Sequence, residues 1–323
     1  MSKIVVTGAG GFLGGHLAIQ LAKAGHSVFG ADIKKLDDWY QPNLQDMGIE
    51  VAAQMDLRER DACRFAVNKA DEVYHLAADM GGMGYIESHK LSCSLSTLMD
   101  MHMLMEATNA GVGKFFYASS ACCYPSHKQV DANVVALKES DAYPADPEDG
   151  YGWQKLYTER LLKHYGEETD LDVRIARYHN SYGPHGTWDG GREKAPAAIC
   201  RKVIHAKKNG LDSIEVWGDG EQTRSFMFVD DCIEGSIRLM ESSFSDPINI
   251  GTSEMVTINQ LVDVVSDIAG VELRKDHKLD APLGVRGRNS DNTLVKEVLG
   301  WEPSIPLRDG LEKTYDWIEK EMS

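Results

Sequence analysis

The segment KIVVTGAGGFLG (residues 3–14) places a short apolar run directly before a turn with glycines at positions 8, 11 and 14. Helical apolar spacing follows from His16 to Ala24, and a second apolar run, residues 27–31, is closed by Asp32. A strand, a glycine-rich turn, a helix and a second strand within about 30 residues are typical of a βαβ unit. Glycines let the backbone approach a pyrophosphate, which then lies at the helix N-terminus. The segment therefore predicts a dinucleotide-binding site, with a plain tight turn as the alternative.

The carboxylate that closes the second run indicates which dinucleotide is bound. An acidic residue at this position accepts hydrogen bonds from both ribose hydroxyls of NAD and repels the 2′-phosphate of NADP. Asp32 therefore favours NAD, while Lys34 and Lys35 close by keep NADP open as an alternative. Residues after later strands would complete the cofactor site. Its expected members are Gly8, Gly11, Phe12, Leu13, Gly14, Asp32, Asp56 and Leu57, and also His75, Leu76, Ala77 and Ala78.

Further apolar runs alternate with helical stretches along much of the chain. This alternation predicts an α/β fold with a Rossmann-like, doubly wound parallel sheet. The additional expected strands are residues 50–53, 72–76, 114–118, 172–178 and 213–216.

The C-terminal third has a different character, with shorter elements and a late helix over residues 307–320. It predicts a smaller, mixed α/β lobe that covers the substrate. We expect a dinucleotide-binding domain formed by residues 1–180 together with about 224–250. Residues 181–223 and 251–323 would form the substrate-binding lobe.

The composition argues against several classes of function. The 323 residues carry 34 Lys and Arg against 50 Asp and Glu, a net charge of −16, which opposes general binding to nucleic acid or to anionic lipid. No apolar run approaches the roughly 18 residues that a membrane-spanning helix needs. The six cysteines lack the spacing of zinc ligands, so no metal site is expected and a reducing compartment is favoured. Because the chain starts directly with a strand, we expect no secretory signal and a cytoplasmic protein.

Tyr151 and Lys155 form a YxxxK motif and would share one face of a helix. The lysine ammonium can lower the pKa of the phenol and hold the nicotinamide ribose, while the phenol moves a proton on or off a substrate hydroxyl. The motif is common by chance, and its value comes from its position after Ser119 and Ser120 at the end of a predicted strand. The hydroxyl of Ser120 would support the same substrate oxygen. The plain alternative is a helix with a packed tyrosine and a solvated lysine.

Motifs along nearly the whole chain carry a resemblance to a known family. TGAGGFLGGH, HLAAD, YASSACCYP, YGWQK and SFMFVDDCIEG resemble the extended short-chain dehydrogenase/reductase family (the NAD-dependent epimerases and dehydratases) of nucleotide-sugar enzymes. Within it, AADMGGMGYI, YASSACCYP, GGREKAPAAICRK, WGDGEQTRSF and GVRGRNSDN are similar to the GDP-mannose 3,5-epimerases. The chain departs from the family's pattern at residues 91–97 (LSCSLST), where many relatives have asparagines, and at Trp153-Gln154 inside the YxxxK motif.

The resemblance implies an isomerase that interconverts GDP-D-mannose with GDP-L-galactose and GDP-L-gulose. Tyr151 and Lys155 would assist hydride transfer from the sugar C4 to a tightly held NAD, which is regenerated in each turnover. The resulting ketone acidifies the protons at C3 and C5, and Cys122 as base and Lys194 as acid would exchange them on opposite faces of the sugar. Cysteine must act as a thiolate, which a nearby lysine stabilises. Cys123 is the neighbouring alternative, but adjacent side chains of a strand-like segment face opposite ways, and the motif's register favours Cys122.

The resemblance also implies how the substrate is held. Two phosphates need cations, and arginine suits bidentate contact with them. Arg288 is a further candidate beside the expected substrate-binding residues, which are Gly81, Gly82, Met83, Ser120, Ala121, Cys122, Asn180, Lys194, Lys202, Gln222, Arg224, Ser225 and Arg286.

By the same resemblance we expect a homodimer that packs the helices near residues 91–109 and 151–165, although an apolar helix stripe belongs more often to a core than to an interface.

Other functions remain as alternatives. One is another nucleotide-sugar epimerase or dehydratase, acting on a different GDP-hexose or GDP-heptose. A 4,6-dehydratase would place an acidic pair after the serine, where this chain has Ala121-Cys122-Cys123, and a 4-epimerase would leave Cys122 and Lys194 idle. A catalytically silent NAD(H)-binding sensor or scaffold is an alternative of another class, against which the intact Ser120, Tyr151 and Lys155 argue.

Overall fold

The computed structural model describes residues 1–281 and 284–323. Strands and helices alternate through the first half of this chain, and the second half adds short strands and longer helices. In chain order the elements are β1 (Lys3–Thr7), α1 (Phe12–Lys23), β2 (Ser27–Ala31), β3 (Glu50–Ala52), α2 (Arg60–Ala66), β4 (Glu72–His75), α3 (Met83–Ser88), α4 (Lys90–Ser94), α5 (Ser96–Asn109), β5 (Lys114–Ser120), α6 (Asp149–Glu168), β6 (Asp172–Tyr178), β7 (Asn180–Tyr182), α7 (Ala195–Asn209), β8 (Ser213–Trp217), β9 (Thr223–Phe228), α8 (Val229–Glu241), β10 (Pro247–Ile250), β11 (Met255–Thr257), α9 (Ile258–Ala269), β12 (Arg274–Lys278), β13 (Gly287–Arg288), α10 (Thr293–Leu299) and α11 (Leu307–Glu321).

The predicted doubly wound sheet is confirmed. Seven parallel strands lie in the order β10-β6-β5-β4-β1-β2-β3. Because side chains alternate along a strand, Ile4 and Val6 of β1 pack in the core on the face of α1, and Val5 packs in the core on the opposite face, beneath α2 and α5. The carboxyl ends of these strands meet at one edge, and in open α/β sheets ligands bind at that edge.

Two strands differ from the expectation. Residues 213–216 were expected to continue the alternation, but β8 pairs with β12 in a separate two-stranded sheet. The seventh strand of the main sheet is β10, which pairs with β6 and which the sequence did not predict. Its four residues, PINI, carry a proline and an asparagine, so the apolar run is too short to be recognised.

Helix α1 begins at Phe12 rather than at His16, and it therefore includes Gly14 and Gly15. Glycine weakens a helix interior by roughly 1 kcal/mol relative to alanine, so these glycines need a reason other than helix propensity. Close packing supplies it. A Cβ at Gly14 would overlap the carbonyl oxygen of Gly8, and one at Gly15 would lie 2.6 Å from the Gln41 side chain.

The C-terminal part of the chain contains more helix than the short elements expected from its sequence. Helices α7, α9 and α11 pack against one another, and Val203, Leu261 and Leu311 are fully buried between them. Four short strands, β7, β9, β11 and β13, form a second sheet beside them. Within the described ranges, no helix has the length and apolar character needed to cross a membrane.

Candidate active site

Two cavities meet above the carboxyl ends of the main-sheet strands. The first has a volume of about 700 Å³ and runs along the glycine turn. The second has a volume of about 450 Å³ and runs towards α7 and β8. Both are lined by Met80, Gly81, Ser120, Tyr151, Tyr178, His179 and Lys194. The two cavities therefore adjoin at Ser120, Tyr151 and Lys194, three of the residues for which catalysis was expected.

The glycine turn leaves bare backbone along the first cavity. Gly8 has a φ of 72°, a left-handed conformation that favours glycine, and the space beside it is filled by neighbouring backbone. Asp32 faces the same turn, with its Oδ2 accepting the N–H of Gly10 at 3.0 Å and its Oδ1 accepting that of Lys34 at 3.0 Å. A backbone cradle at a helix N-terminus and a carboxylate at its rim are what a dinucleotide requires. The residues present therefore fit NAD.

All the residues expected to hold the cofactor, except His75, line this first cavity. They are Gly8, Gly11, Phe12, Leu13, Gly14, Asp32, Asp56, Leu57, Leu76, Ala77, Ala78, Tyr151 and Lys155.

His75, which was expected beside Leu76, is buried beneath the cavity instead. Its Nδ1 lies 2.8 Å from the Oγ1 of Thr7, and that oxygen accepts the N–H groups of Leu76 at 3.1 Å and Ala77 at 3.2 Å. The ring therefore supports the cavity floor rather than lining it.

Ser120, Tyr151 and Lys155 come together where the two cavities meet. β5 ends at Ser120, and the first turns of α6 place Tyr151 and Lys155 with the lysine Nζ 5.7 Å from the tyrosine ring centre. Burial raises the pKa of the Tyr151 phenol, and a hydrogen bond with Ser120 opposes that rise. Burial lowers the pKa of Lys155, and the charge of Asp100 opposes that change. The net upward direction for Tyr151 differs from the expectation because burial outweighs the other contributions.

Cys122 lines the second cavity beside a buried ion pair. Its backbone N–H donates to the Oγ of Ser120 at 3.1 Å, and the Nη1 of Arg288 lies 3.6 Å from its Sγ. Arg288 also pairs with Glu148 and donates from Nε to Gln129 at 2.7 Å. Burial raises the pKa of the Cys122 thiol to about 11. Glu148 adds to this rise, whereas Arg288 opposes it.

Cys123 faces away from the cavities. Its Sγ lies 3.4 Å from the Oγ of Ser119 and 3.4 Å from Glu159 Oε1, inside a buried cluster. The two neighbouring thiols thus occupy different environments, and Cys122 is the one that faces the second cavity.

Lys194 immediately precedes α7 and lines both cavities. Burial lowers the pKa of its amine, and the nearby Cys122 opposes that change. The loop before it is anchored by Arg192, whose carbonyl accepts the N–H of Gly82 at 3.0 Å and whose Nη1 pairs with Asp79 at 3.0 Å. The Arg192 guanidinium also stacks 3.8 Å above the ring of Tyr85. These contacts hold Lys194 opposite the glycine-rich loop that precedes α3.

Most of the expected substrate residues line the second cavity. They are Gly81, Gly82, Met83, Ser120, Ala121, Cys122, Asn180, Lys194, Lys202, Gln222 and Arg224.

Ser225 and Arg286 lie outside the lining. Ser225 is buried behind it, and Arg286 turns away to pair with Asp219 at 2.8 and 2.9 Å. Arg288 lines the cavity in the place expected for Arg286. The reason is that Asp219 binds one arginine of the GVRGR segment and Glu148 binds the other.

Sequence reasoning missed three groups at this site. Glu148 precedes α6 by one residue, His179 lines both cavities, and Arg192 anchors the Lys194 loop. His179 stands beside the expected Asn180, so its place in that motif was an available signal. Glu148 and Arg192 act through partners that are far away in the sequence.

Comparisons with known proteins identify relatives of this chain. A family model described as the NAD dependent epimerase/dehydratase family matches residues 4–251. The GDP-mannose 3,5-epimerase 1 of Oryza sativa subsp. indica is 49% identical over 321 residues, which span 99% of this chain and 82% of that protein. The GDP-mannose 3,5-epimerase of Arabidopsis thaliana is 47% identical, over 99% of this chain and 83% of that protein. Among solved structures, the UDP-glucose 4-epimerase of Thermotoga maritima with UDP-glucose has a TM-score of 0.88 at 26% identity, covering 99% of this chain and 100% of that one.

Proposed function

Because the chain belongs to the NAD dependent epimerase/dehydratase family, we infer that it is an NAD-dependent GDP-mannose 3,5-epimerase. The reaction interconverts GDP-D-mannose with GDP-L-galactose and GDP-L-gulose. One observation carries this proposal: Cys122 and Lys194 line the same cavity as Ser120 and Tyr151, in a chain 49% identical to a GDP-mannose 3,5-epimerase. A thiol and an amine at this place would be idle in a simple 4-epimerase.

The first cavity holds the cofactor. Gly8, Gly11 and Gly14 would present backbone to its pyrophosphate, Asp32 would accept hydrogen bonds from its ribose, and Lys155 would hold the ribose nearer the substrate. When bound, NAD supplies a hydride acceptor and donor for C4 of the sugar.

Tyr151 moves the proton of the sugar's 4-hydroxyl. Its phenol and the hydroxyl of Ser120 both face the junction of the cavities, where they would share hydrogen bonds with that oxygen. The ammonium of Lys155 stabilises the phenolate that takes the proton. When the oxygen becomes a hydroxyl again, the same phenol returns the proton.

Cys122 and Lys194 exchange the carbon-bound protons next to C4. Once C4 is a ketone, its neighbours C3 and C5 are acidic. The Cys122 thiolate removes a proton from one face, with the charge of Arg288 close to its Sγ. Lys194 donates a proton to the opposite face, and burial favours this donation because it lowers the pKa of the ammonium. Proton exchange with solvent then resets both groups.

The basic residues of the second cavity hold the GDP diphosphate. Lys202, Arg224 and Arg288 line this cavity, and we assign them to the phosphates, with Asn180 beside the sugar. Lys202 also donates to the carbonyl of Glu215 at 2.8 Å, so its side chain is already oriented along the cavity wall. The overall negative charge of the chain therefore surrounds a locally cationic site.

We also propose that the protein is a cytoplasmic homodimer with two closely packed lobes. An exposed apolar face, formed by Leu91, Leu98 and Met101 of α4 and α5 with Trp153 and Tyr157 of α6, supports the dimer. Leu91 is 75% exposed, and Trp153 and Tyr157 are each 51% exposed. Large apolar side chains gathered on adjoining helices are a common basis for association. The lobes would be residues 1–180 with about 224–250, and residues 181–223 with 251–323.

Proton NMR of GDP-mannose with the purified enzyme in D2O, without added NAD, tests the reaction. We expect the C3 or C5 proton signal to disappear and new sugar resonances to form. Cys122→Ala should abolish this exchange, whereas the matched variant Cys123→Ala should keep it. If NAD can be extracted from the protein but GDP-mannose does not react, the substrate assignment is wrong, and the same experiment with other GDP-, UDP- and dTDP-sugars identifies the alternative.

A further inference from the structure

Asp100 of α5 is a buried carboxylate to which the mechanism above gives no role. Its Oδ2 accepts hydrogen bonds from the Tyr117 hydroxyl at 2.9 Å and the Thr158 hydroxyl at 2.7 Å, and also from the Gln154 amide. Its Oδ1 lies 3.0 Å from the Nε2 of His75. Four groups from three other elements thus converge on one carboxylate that is 1% exposed.

The hydrogen bonds determine the charges in this cluster. A carboxylate that receives four hydrogen bonds is ionised, because a protonated acid would turn one oxygen into a donor. Thr7 Oγ1 already accepts two backbone N–H groups, so its own hydrogen has the Nδ1 of His75 as its acceptor. His75 is therefore the neutral tautomer that carries its hydrogen on Nε2. The histidine does not neutralise the negative charge of Asp100.

The side chain of Tyr117 lies next to both this carboxylate and the ammonium of Lys155. The Nζ of Lys155 lies 4.5 Å from the ring centre of Tyr117, whose hydroxyl donates to Asp100. Burial would raise the pKa of the Asp100 carboxyl, but the hydrogen bond from His75 and the charge of Lys155 are the largest of several contributions that bring it below its usual range. The influence is mutual. Burial lowers the pKa of Lys155, and the charge of Asp100 is the largest contribution that opposes this change.

Other titratable groups face Lys155 as well. They are Tyr117 of β5, Cys122 and Cys123 after it, and Tyr151 and Glu159 of α6. Glu159 is bound by the guanidinium of Arg177 at 2.6 Å and by Ser119, so its charge is already compensated. The phenols and the thiols carry their protons before the reaction begins, because burial raises the pKa of each of them. Asp100 is thus the uncompensated anion beside the buried ammonium.

We propose that Asp100 is a positioning residue that keeps Lys155 in its ammonium form, and that the Thr7-His75-Asp100 chain connects the glycine turn to the catalytic helix. The proposal rests on the proposed function only in giving Lys155 a catalytic role. The departure of the chain from its family's pattern at Gln154 acquires an explanation here, since the Gln154 amide donates to Asp100.

Asp100→Asn removes the charge while keeping the shape, and it tests the proposal through the pH profile of turnover. We expect the alkaline limb of the kcat profile to move to lower pH by about one to three units, the usual effect of a neighbouring opposite charge. Thr158→Val is the matched control, because it removes one hydrogen bond but keeps the carboxylate. Its alkaline limb should stay in place. An unshifted limb in Asp100→Asn overturns the proposal.

A second variant moves the charge instead of removing it. In Asp100→Asn combined with Gln154→Glu, the carboxylate lies at the other end of the same hydrogen bond, and we expect the alkaline limb to return towards its original pH. The double variant is read against the single one, because a limb in its original place supports the proposal only where Asp100→Asn has moved it. If Asp100→Asn fails to fold, Asp100→Ser, which also removes the charge, takes its place. If the alkaline limb of the double variant still lies one pH unit or more below that of the unmodified protein, an electrostatic role of Asp100 is contradicted.

Chemical labelling separates this proposal from the substrate assignment. Formaldehyde with a borohydride reagent methylates only neutral amines, and Lys155 lines the first cavity. We expect Asp100→Asn to be labelled at Lys155 at least about tenfold faster at pH 8, which corresponds to one unit of pKa, as read by peptide mass spectrometry. Equal labelling overturns the proposal. Faster labelling in a protein that does not turn over GDP-mannose upholds Asp100 and rejects the substrate instead.

Discussion

The Nη1 of Arg288 lies 3.6 Å from the Sγ of Cys122, and the same guanidinium pairs with Glu148. The thiol therefore faces one positive and one negative charge that act in opposite directions. Burial raises its pKa to about 11, with Glu148 adding to the rise and Arg288 opposing it. Changing either charge should move the thiolate population in a known direction.

Glu148→Gln should make Cys122 more reactive. Removing the carboxylate lowers the pKa of the thiol, so the thiolate fraction at pH 8 rises, by about tenfold for each unit of change. The measurement is the rate of Cys122 alkylation by iodoacetamide against pH, read by mass spectrometry. Arg288→Met should change the rate in the opposite direction. Alkylation that is slower in Glu148→Gln than in the unmodified protein would contradict the assignment of the two charges.

Gly14→Ala should empty the cofactor cavity. The added methyl group overlaps the Gly8 carbonyl oxygen, so the turn must move, at a cost of about 1–3 kcal/mol typical of overpacking. We expect little NAD to be extracted from the purified variant and a lower Tm. Gly25→Ala is the control, since Gly25 has a φ of 88° but open space around it. That variant should lose some stability and keep its NAD.

Arg192→Ala should weaken substrate binding and proton exchange together. The variant loses the ion pair with Asp79 and the stacking on Tyr85, so the loop that carries Lys194 is held less firmly. We expect kcat/KM to fall by about fivefold to tenfold, or roughly 1 kcal/mol, because half-exposed contacts contribute modestly. Arg238→Ala removes a similarly exposed pair on α8, and its kcat/KM should be unchanged.

Leu98→Glu should separate the proposed dimer. The substitution places a charge on the apolar face of α5, and the cost of burying it exceeds what the neighbouring helices can offset. Light scattering coupled to gel filtration should then give the mass of one chain. Val135→Glu changes a side chain that is 84% exposed elsewhere on the surface, and this control should keep the mass of the unmodified protein. A monomer before any substitution would reject the dimer.

The sequence predicted the main sheet well because a buried parallel strand is a continuous apolar run. The segment 172–178 was predicted with the bounds that β6 has. The cofactor residues were predicted equally well because the turn from Gly8 to Gly14 is local. Local signals of this kind can be recognised in the sequence without knowledge of the rest of the fold.

The remaining parts of the site depend on partners that are distant in sequence. Arg286 and Arg288 belong to one short motif, and only Asp219 and Glu148 decide which of them faces the cavity. The cluster around Asp100 joins four elements, and nothing in any one of them indicates the others. Tertiary contacts rather than residue type determine these roles.

The position of β10 has a consequence for anyone who divides or recombines this chain. The polypeptide leaves the main sheet after β6, forms β7, α7, β8, β9 and α8, and then returns to place β10 along the free side of β6. A fragment that ends near residue 180 would expose the edge of β6 as a row of unpaired backbone groups, which is a template for aggregation. A chimera that exchanges substrate preference must therefore be joined at three points, one after β6, one before β10 and one after it, so that the strand that completes the sheet stays with its host while the chain on both sides of it is exchanged.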